Sequence, residues 1–336
     1  MTLPQLLEDC LCPSCGSEPA RVVAAARDRL DPDDPARYTV VRCDACGLAY
    51  TRPRPTPSAM PSFYPASYSG GERRGLLDQA ESLYRARQQR EAARWLSELR
   101  PRRGRLLDVG CGRGDLLAVL QHEGWQAFGV EPSQQGAAAA RARGIQVRCS
   151  RFEEHRDDEQ YDVVVFSGVL EHLHDPLDSL RRARRALSPG GLVAVLYVPL
   201  FDSLQARALG SRWIALDLPR HLVHFESTTF PQFAARAGLR VTGRQDYSRR
   251  HNASQLVSSL LPSLQKHRLY QEEERSRAGR RTPGCLRPLG KRTAYALALA
   301  AARPVGRLEA ALGLTPMRSY FLEPAPRAPA GVGATP

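Results

Sequence analysis

The chain has 336 residues, enough to bury a large core as one domain with additions or as two domains. No apolar run reaches the roughly 18 residues that cross a bilayer, and Pro4, Glu8 and Asp9 stand where a secretory leader needs basic and then apolar residues, so a cytoplasmic protein is expected. The formal charge is +13, but only Lys266 and Lys291 of the 48 basic residues are lysines; with so much Ala, Gly and Pro, the arginine excess reads as codon bias of a G+C-rich genome ahead of a nucleic-acid surface.

Four of the eight cysteines form two C-x-x-C pairs, Cys12/Cys15 and Cys43/Cys46, each followed by glycine. In a cytoplasmic chain this spacing predicts a tetrahedral, structural Zn2+ site with those four thiolates as ligands. Cys10 is near enough to compete, but Cys12 has the better spacing to Cys15. Between the pairs, Arg21–Ala25 and Tyr38–Val41 flank a Pro/Asp-rich turn and predict a hairpin. Residues 51–75 hold Pro53, Pro55, Pro57, Pro61 and Pro65 and are expected to be an extended, unpacked connector, whose Phe63, Tyr64 and Tyr68 either lie over a pocket or dock on the next domain. Apolar residues at helical spacing then predict an amphipathic helix over Leu76–Leu99, ended by Pro101.

The stretch Leu106–Leu117 is an apolar run ending in Asp108, three glycines on alternate positions (Gly110, Gly112, Gly114), then apolar residues at helical spacing. That pattern is a strand, a tight turn and a helix start, the first βα unit of a doubly wound sheet. Asp115 stands where a dinucleotide fingerprint has its third glycine, and a carboxylate there opposes a pyrophosphate. A cofactor that brings a cation avoids the conflict. The D-x-G-x-G-x-G pattern resembles the first motif of the class I S-adenosylmethionine-dependent methyltransferases.

The alternation continues. Trp125–Val130 is a second strand ending in Glu131, an acid at the position that accepts hydrogen bonds from the hydroxyls of an adenine nucleoside's ribose. Ala137–Arg143 is the next helix and Ile145–Arg148 the third strand. In the loop that follows, Phe152 either covers the adenine or packs in the core, and Glu153 is a displaced counterpart of the family's acid. Tyr161–Phe166 is a fully buried fourth strand running into Ser167-Gly168-Val169-Leu170-Glu171-His172-Leu173, which resembles the family's post-strand motif. Leu187–Leu196 reads as a helix end, a turn and the fifth strand, with the family's L-x-P-G-G pattern at Leu187–Gly191. The ordered set of motifs carries the resemblance over about residues 101–247. It implies a cofactor site of Asp108, Gly110, Cys111, Gly112, Gly114, Glu131, Pro132, Phe152, Ser167, Gly168, Val169 and Glu171. It also raises a Mg2+ site at Glu171–His172, which is not expected here, because Gly168 replaces the third acid and a lone Glu-His pair is a poor cage.

Beyond the fifth strand, Trp213–Glu226 is polar, aromatic and histidine-bearing, and lies where such enzymes build the acceptor pocket. Methyl transfer needs alignment and often loss of one acceptor proton. The candidate bases are His221 or His224, with His172 also at the crevice. A helix over Ser227–Gly238 precedes a sixth strand from Leu239; residues 250–312 read as helices broken by the Arg-rich stretch Arg275–Arg292; Met317–Glu323 is a candidate seventh, antiparallel strand. Ala294–Leu312 offers packing first, an oligomer contact or a peripheral membrane surface next.

The expected architecture is a zinc ribbon (1–52), a linker and helix (53–100), a Rossmann-like, seven-stranded α/β methyltransferase core (101–247), a helical addition (248–323) and a disordered tail (324–336). The ribbon, core and P-x-H-L-x-H-F loop together resemble bacterial glycan and secondary-metabolite enzymes, with sugar-nucleotide C-methyltransferases the better understood relatives. The expected activity is methyl transfer from S-adenosylmethionine to a small or carrier-linked metabolite. An RNA methyltransferase gripping RNA through ribbon and arginines, and a non-catalytic scaffold, are the alternatives.

Overall fold

The computed structural model describes residues 6–31, 33–64, 76–155, 159–265 and 288–326. The N-terminal module contains β1 (Leu7–Glu8), β2 (Ala20–Ala26), β3 (Tyr38–Cys43), β4 (Ala49–Thr51) and β5 (Arg54–Pro55). β2, β3 and β4 pair antiparallel in sequence, and β1 pairs with β5. The hairpin expected across the Pro/Asp-rich turn is therefore present.

The connector is not unpacked. Up to Tyr64 it is folded onto the protein: β5 is held by β1, Arg54 donates to Glu8 (2.8 Å) and to the His174 carbonyl (2.8 Å), and Ala59 and Met60 are buried. Proline forbids a central strand but not burial, and here the prolines sit at a two-residue edge pairing and in a 3-10 turn over Met60–Phe63. Residues 65–75, including Tyr68, lie outside the described residues.

Helix α1 (Leu76–Leu99) leads into the sheet domain. There, β6 (Arg105–Val109), β7 (Gln126–Val130), β8 (Gln146–Arg148), β9 (Tyr161–Ser167) and β10 (Leu187–Pro199) alternate with α2 (Asp115–His122), α3 (Gln134–Arg141) and α4 (Pro176–Arg185). Helix α5 (Leu204–Leu209), β11 (Val223–His224), α6 (Thr229–Arg236) and β12 (Leu239–Gln245) follow, then α7 (His251–Leu260), α8 (Pro288–Ala311) and β13 (Met317–Pro324). The seven-stranded sheet has the order β12-β13-β10-β9-β6-β7-β8. β6 to β10 are parallel, and β13 enters antiparallel between β10 and β12. This is the Rossmann-like sheet the motifs imply, with the helical addition inserted before its last strand.

Because the central strands are covered on both faces, their middles are apolar on both sides, as at Leu106–Leu107, Val163–Phe166 and Leu192–Leu196. Leu107, Val109, Val164, Phe166 and Val195 face one cluster, shared with residues of α4 and α6; Leu106, Val163, Val165, Ala194 and Leu196 face the other, shared with α1, α2 and α3. The P-G-G segment is not a turn before the fifth strand. β10 begins at Leu187, and the glycines form an irregularity inside it, where the register to β9 shifts between Leu187 and Leu192.

A short polar set holds the helical addition together, and Gln205 ties it to the segment after β10. Asn252 donates to Thr315 (2.9 Å) and to the Gly306 carbonyl (3.3 Å), and Gln205 donates to Glu309 (2.8 Å). Among the described residues no helix is long and apolar enough to cross a membrane. Most of the Arg275–Arg292 stretch and of the expected disordered tail lie outside the described residues.

Candidate functional site

The glycine turn joins β6 to α2 at the carboxyl edge of the parallel strands, where doubly wound sheets bind ligands. Gly110 and Gly114 both have positive φ, and neither tolerates a side chain: a Cβ at Gly110 would lie 2.8 Å from a Val169 methyl, and one at Gly114 would lie 2.4 Å from Ile145 Cδ1. At Gly112 a Cβ would meet open space, so the backbone there is free to be approached. Cys111 fills the room left by Gly129, whose Cβ would sit 2.5 Å from its sulfur, and burial pushes the Cys111 thiol up.

Glu131, at the tip of β7, accepts from the Gly112 N–H (2.8 Å) and the Ser133 N–H (2.8 Å), so the acid is held against the turn. Pro132 follows on the exposed rim. Asp108 lies beneath. It is completely enclosed, its Oδ1 has no hydrogen-bond partner among the described residues, and burial together with the Glu131 charge pushes its carboxyl up to about 8. Two carboxyl groups thus converge on one glycine turn with an unmatched buried oxygen between them. Asp115 is drawn off to the side by an ion pair with Arg143.

At the end of β9, the Gly168 N–H donates to the Leu196 carbonyl (3.0 Å), closing Ser167–Val169 over the turn. Phe152 is buried edge-on to Phe166 (5.8 Å) and stacked on His155 (5.9 Å), the core placement of the two open to it; Glu153 is exposed. Glu171 is enclosed, its Oε2 has no hydrogen-bond partner among the described residues, and burial raises its carboxyl. His172 reaches the Arg220 carbonyl (3.0 Å) and the Tyr64 hydroxyl (3.1 Å) through Nδ1. A carbonyl only accepts, so Nδ1 is the donor of that contact, and Nε2 lies 4.0 Å from Glu171 Oε1. His221 repeats the arrangement: Nδ1 donates to the Ala215 carbonyl (2.8 Å), which leaves Nε2 free of a proton. The two rings meet edge to face at 4.6 Å, and burial and the neighbouring His172 hold His221 well below the ordinary imidazole range. Donor atoms of Glu171, His172 and His221 all lie within 4.8 Å of one another.

His224 is placed differently. Its Nε2 lies 3.0 Å from the Thr51 hydroxyl, which itself donates to the His221 carbonyl (2.6 Å), so Nε2 is the donor of that pair. Burial lowers His224 to about 3. Together with the pairing of β11 to β4, this contact stitches the loop onto the N-terminal module.

Two long-range ion pairs reinforce the stitch. Arg220, wholly buried, donates to both oxygens of Asp28 (2.6 and 2.7 Å), to Asp217 (2.9 and 3.1 Å) and to the Phe63 carbonyl (3.0 Å). Arg42 grips Glu226 with two bonds, 2.9 and 2.5 Å. Although burial works the other way, Arg29 and Arg220 hold the Asp217 carboxyl well below the usual range. Trp213 is buried among Tyr38, Val40 and Leu216. Trp213 and Arg220, at the start and middle of the segment, both sit in the seam between the loop and the module. Tyr64, Thr51 and Asp28 reach the site from the N-terminal module, and no local pattern marks them; only the aromatic content of the connector points toward Tyr64.

The sulfurs of Cys12 and Cys46 are 3.5 Å apart and those of Cys15 and Cys43 3.6 Å, and all four lie within 4.8 Å. Thiolates on a tetrahedral Zn2+ stand about 3.8 Å apart, so the four fit that ion. Both knuckles close alike, with Gly16 N–H on the Cys12 carbonyl and Gly47 N–H on the Cys43 carbonyl, each 2.9 Å. Cys10 lies outside the set, its sulfur directed at the Thr51 carbonyl.

Residues 84–243 match the family described as "Methyltransferase domain". The chain is 35% identical over 123 residues to the ubiquinone biosynthesis O-methyltransferase of Bradyrhizobium diazoefficiens, covering 34% of this chain and 49% of that protein. It is 30% identical over 158 residues to the enzyme of the same name from Bordetella bronchiseptica, covering 41% and 63%. The chain thus spans about half the length of the first of these curated relatives. Among solved structures, it is similar to the CcbJ methyltransferase of Streptomyces caelestis (15% identity, 71% of this chain and 90% of that one, TM-score 0.44). An O-methyltransferase of neocarzinostatin biosynthesis in complex with S-adenosylmethionine matches at 25% identity over 43% of this chain and 46% of that one, with a TM-score of 0.37. The methyltransferase-domain match, residues 84–243, falls on the same residues as the five parallel strands and the glycine turn with its two acids, within a Rossmann-like sheet.

Proposed function

We propose that the protein transfers a methyl group from S-adenosylmethionine to a small or carrier-linked metabolite at the crevice above Asp108 and Glu131. The observation that carries the reading is the enclosed Asp108 carboxyl with its unpartnered oxygen under the glycine turn. A buried carboxyl of this kind calls for a cationic partner. Asp108 answers the ammonium of the cofactor, Gly110, Gly112 and Gly114 let its methionine part approach the backbone, and Glu131 exchanges its backbone bonds for the ribose hydroxyls. The neighbouring Cys111, Pro132, Ser167–Val169 and Glu171 complete the walls, with Phe152 packed in the core behind them. When bound, the cofactor supplies an electrophilic methyl group on a sulfonium.

The His172–His221 pair supplies the base. Each ring is fixed by its Nδ1–H, which leaves Nε2 as the nitrogen placed to take a proton from an acceptor O–H, N–H or acidic C–H. His224 is assigned to holding the loop, since its Nε2 is committed to Thr51. Cys12, Cys15, Cys43 and Cys46 would hold a structural Zn2+ that fixes the strands to which this loop is sewn. Relatives named for ubiquinone biosynthesis favour a metabolite acceptor over RNA.

The test is transfer of labelled methyl from S-adenosylmethionine into host extract, half of it pretreated with nuclease. Label in a nuclease-resistant small-molecule or carrier-linked fraction is expected. Label lost to nuclease would make the acceptor RNA, and absence of saturable S-adenosylmethionine binding would overturn the reading altogether.

A further inference from the structure

A cleft of about 560 Å³ opens between α1, the turn at Tyr247–Arg250 and α8. Its charge is one-sided. Arg87, Arg90 and Arg94 line it from α1 at spacings of three and four, so they share one helix face. Arg303 and Arg307, one turn apart, face them from α8, and Arg249 and Arg250 close the end. Against seven guanidinium groups stands one carboxylate, Glu91. Among the described residues no carboxylate is ion-paired with Arg87, Arg90, Arg303 or Arg307. Like charges at helical spacing cost stability in the empty protein, and a dense, confined cluster of forked donors is matched by phosphate oxygens, which guanidinium engages in pairs.

The cleft wall is linked to the central sheet through Gln88 and Tyr197. Gln88 on its wall accepts from Arg250 (2.8 Å), and its carbonyl accepts from the Tyr197 hydroxyl (3.3 Å). Tyr197 follows Leu196, whose carbonyl takes the Gly168 N–H at the mouth of the crevice. Tyr84 anchors the end of the cleft by donating to the Arg249 carbonyl (2.7 Å), and Tyr247 adds a second ring to its wall.

We infer that this arginine cleft binds a diphosphate ester and that the methyl acceptor is carried on it. The volume suits a diphosphate with an attached ring, and the tyrosines offer that ring an apolar face. What is said of the acceptor rests on the methyl-transfer reading; the anion site stands without it.

The test uses the full chain in about 0.15 M salt, so that diffuse attraction is screened. Inorganic pyrophosphate, a panel of nucleoside diphosphates, and phosphatidylcholine vesicles carrying a prenyl diphosphate are titrated by calorimetry or flotation, with S-adenosylmethionine titrated in parallel. Saturable binding of a diphosphate probe is expected, weakened about tenfold or more in Arg303→Ala/Arg307→Ala and, from the opposite wall, in Arg90→Ala, with cofactor affinity unchanged. Tighter binding of the nucleotide or of the vesicle than of pyrophosphate identifies the source. No saturable diphosphate binding, binding indifferent to both variants, or single-stranded RNA binding that diphosphate does not displace would each overturn the proposal. Diphosphate binding without S-adenosylmethionine binding would retain the cleft and remove the methyl-transfer reading; the reverse result would do the opposite.

Discussion

Asp108 is a titrating group set where the cofactor's cation is expected. Its folded value of about 8 lies above the ordinary 3.8. Between about pH 4 and pH 8 the folded, ligand-free protein therefore keeps a proton that the unfolded chain has lost. The stability this represents is full at the acid end and disappears as pH rises toward 8. A cation seated beside the carboxyl reverses the preference, so cofactor uptake releases a proton. Affinity should rise up to about tenfold per pH unit through this window, and calorimetry in two buffers of different ionisation enthalpy should find the released proton. Asp108→Asn is expected to remove both the proton and the pH slope. Within the crevice, His172→Gln and His221→Gln should each abolish most transfer while leaving S-adenosylmethionine binding near the parent value, by equilibrium dialysis. Asp108, Glu131 and the glycines are legible in sequence because they belong to two adjacent βα units, where spacing along the chain is spacing in the fold. The contact between His172 and His221 is not, since it depends on how a loop after the fifth strand is laid back over the fourth.

At the scale of elements, the segment from Asp217 to Glu226 has no regular structure of its own beyond the two residues of β11. Its shape comes from bonds to the N-terminal module, with Arg220–Asp28 at the centre. Asp28→Asn strips one of two carboxylates from an enclosed guanidinium that keeps Asp217, so it should cost about 2–3 kcal/mol in urea unfolding, against about 1 kcal/mol or less for the exposed pair broken by Arg94→Ala. The strands, the helix over Leu76–Leu99 and the antiparallel last strand were legible from hydrophobic period and turn residues. The packing of Thr51–Tyr64 was not, because proline content reports which backbone bonds are missing and is silent on which side chains find a surface.

For the molecule as a whole, the four-cysteine module and the loop that carries His221 and His224 are joined as one unit. Releasing the metal with a mercurial thiol reagent and a zinc-sensitive dye should yield about one Zn2+ per chain. The same treatment should raise amide exchange at Val223 and His224, far along the chain from the cysteines, before the central sheet opens. His224 adds an acid limit. With a folded value of about 3 against the ordinary 6.5, its neutral ring contributes fully above pH 6.5, and the contribution is lost as pH falls. Relative to His224→Gln, the parent protein should lose about 1.4 kcal/mol of stability per pH unit below 6.5 in chemical denaturation.

The pairing of β11 with β4 also bears on how such a protein can be rebuilt. Thr51 and Leu222 meet across the shared edge, joined by a 2.9 Å backbone bond, although 170 residues of chain lie between them. A chimaera that takes the core from one relative and the cysteine module from another would break Thr51–His224, Arg42–Glu226 and Asp28–Arg220 at once. Exchange of acceptor preference by recombination should therefore succeed only when the first sixty-odd residues and the stretch from Asp217 to Glu226 travel together, as a single heritable cassette split across two distant exons of sequence space.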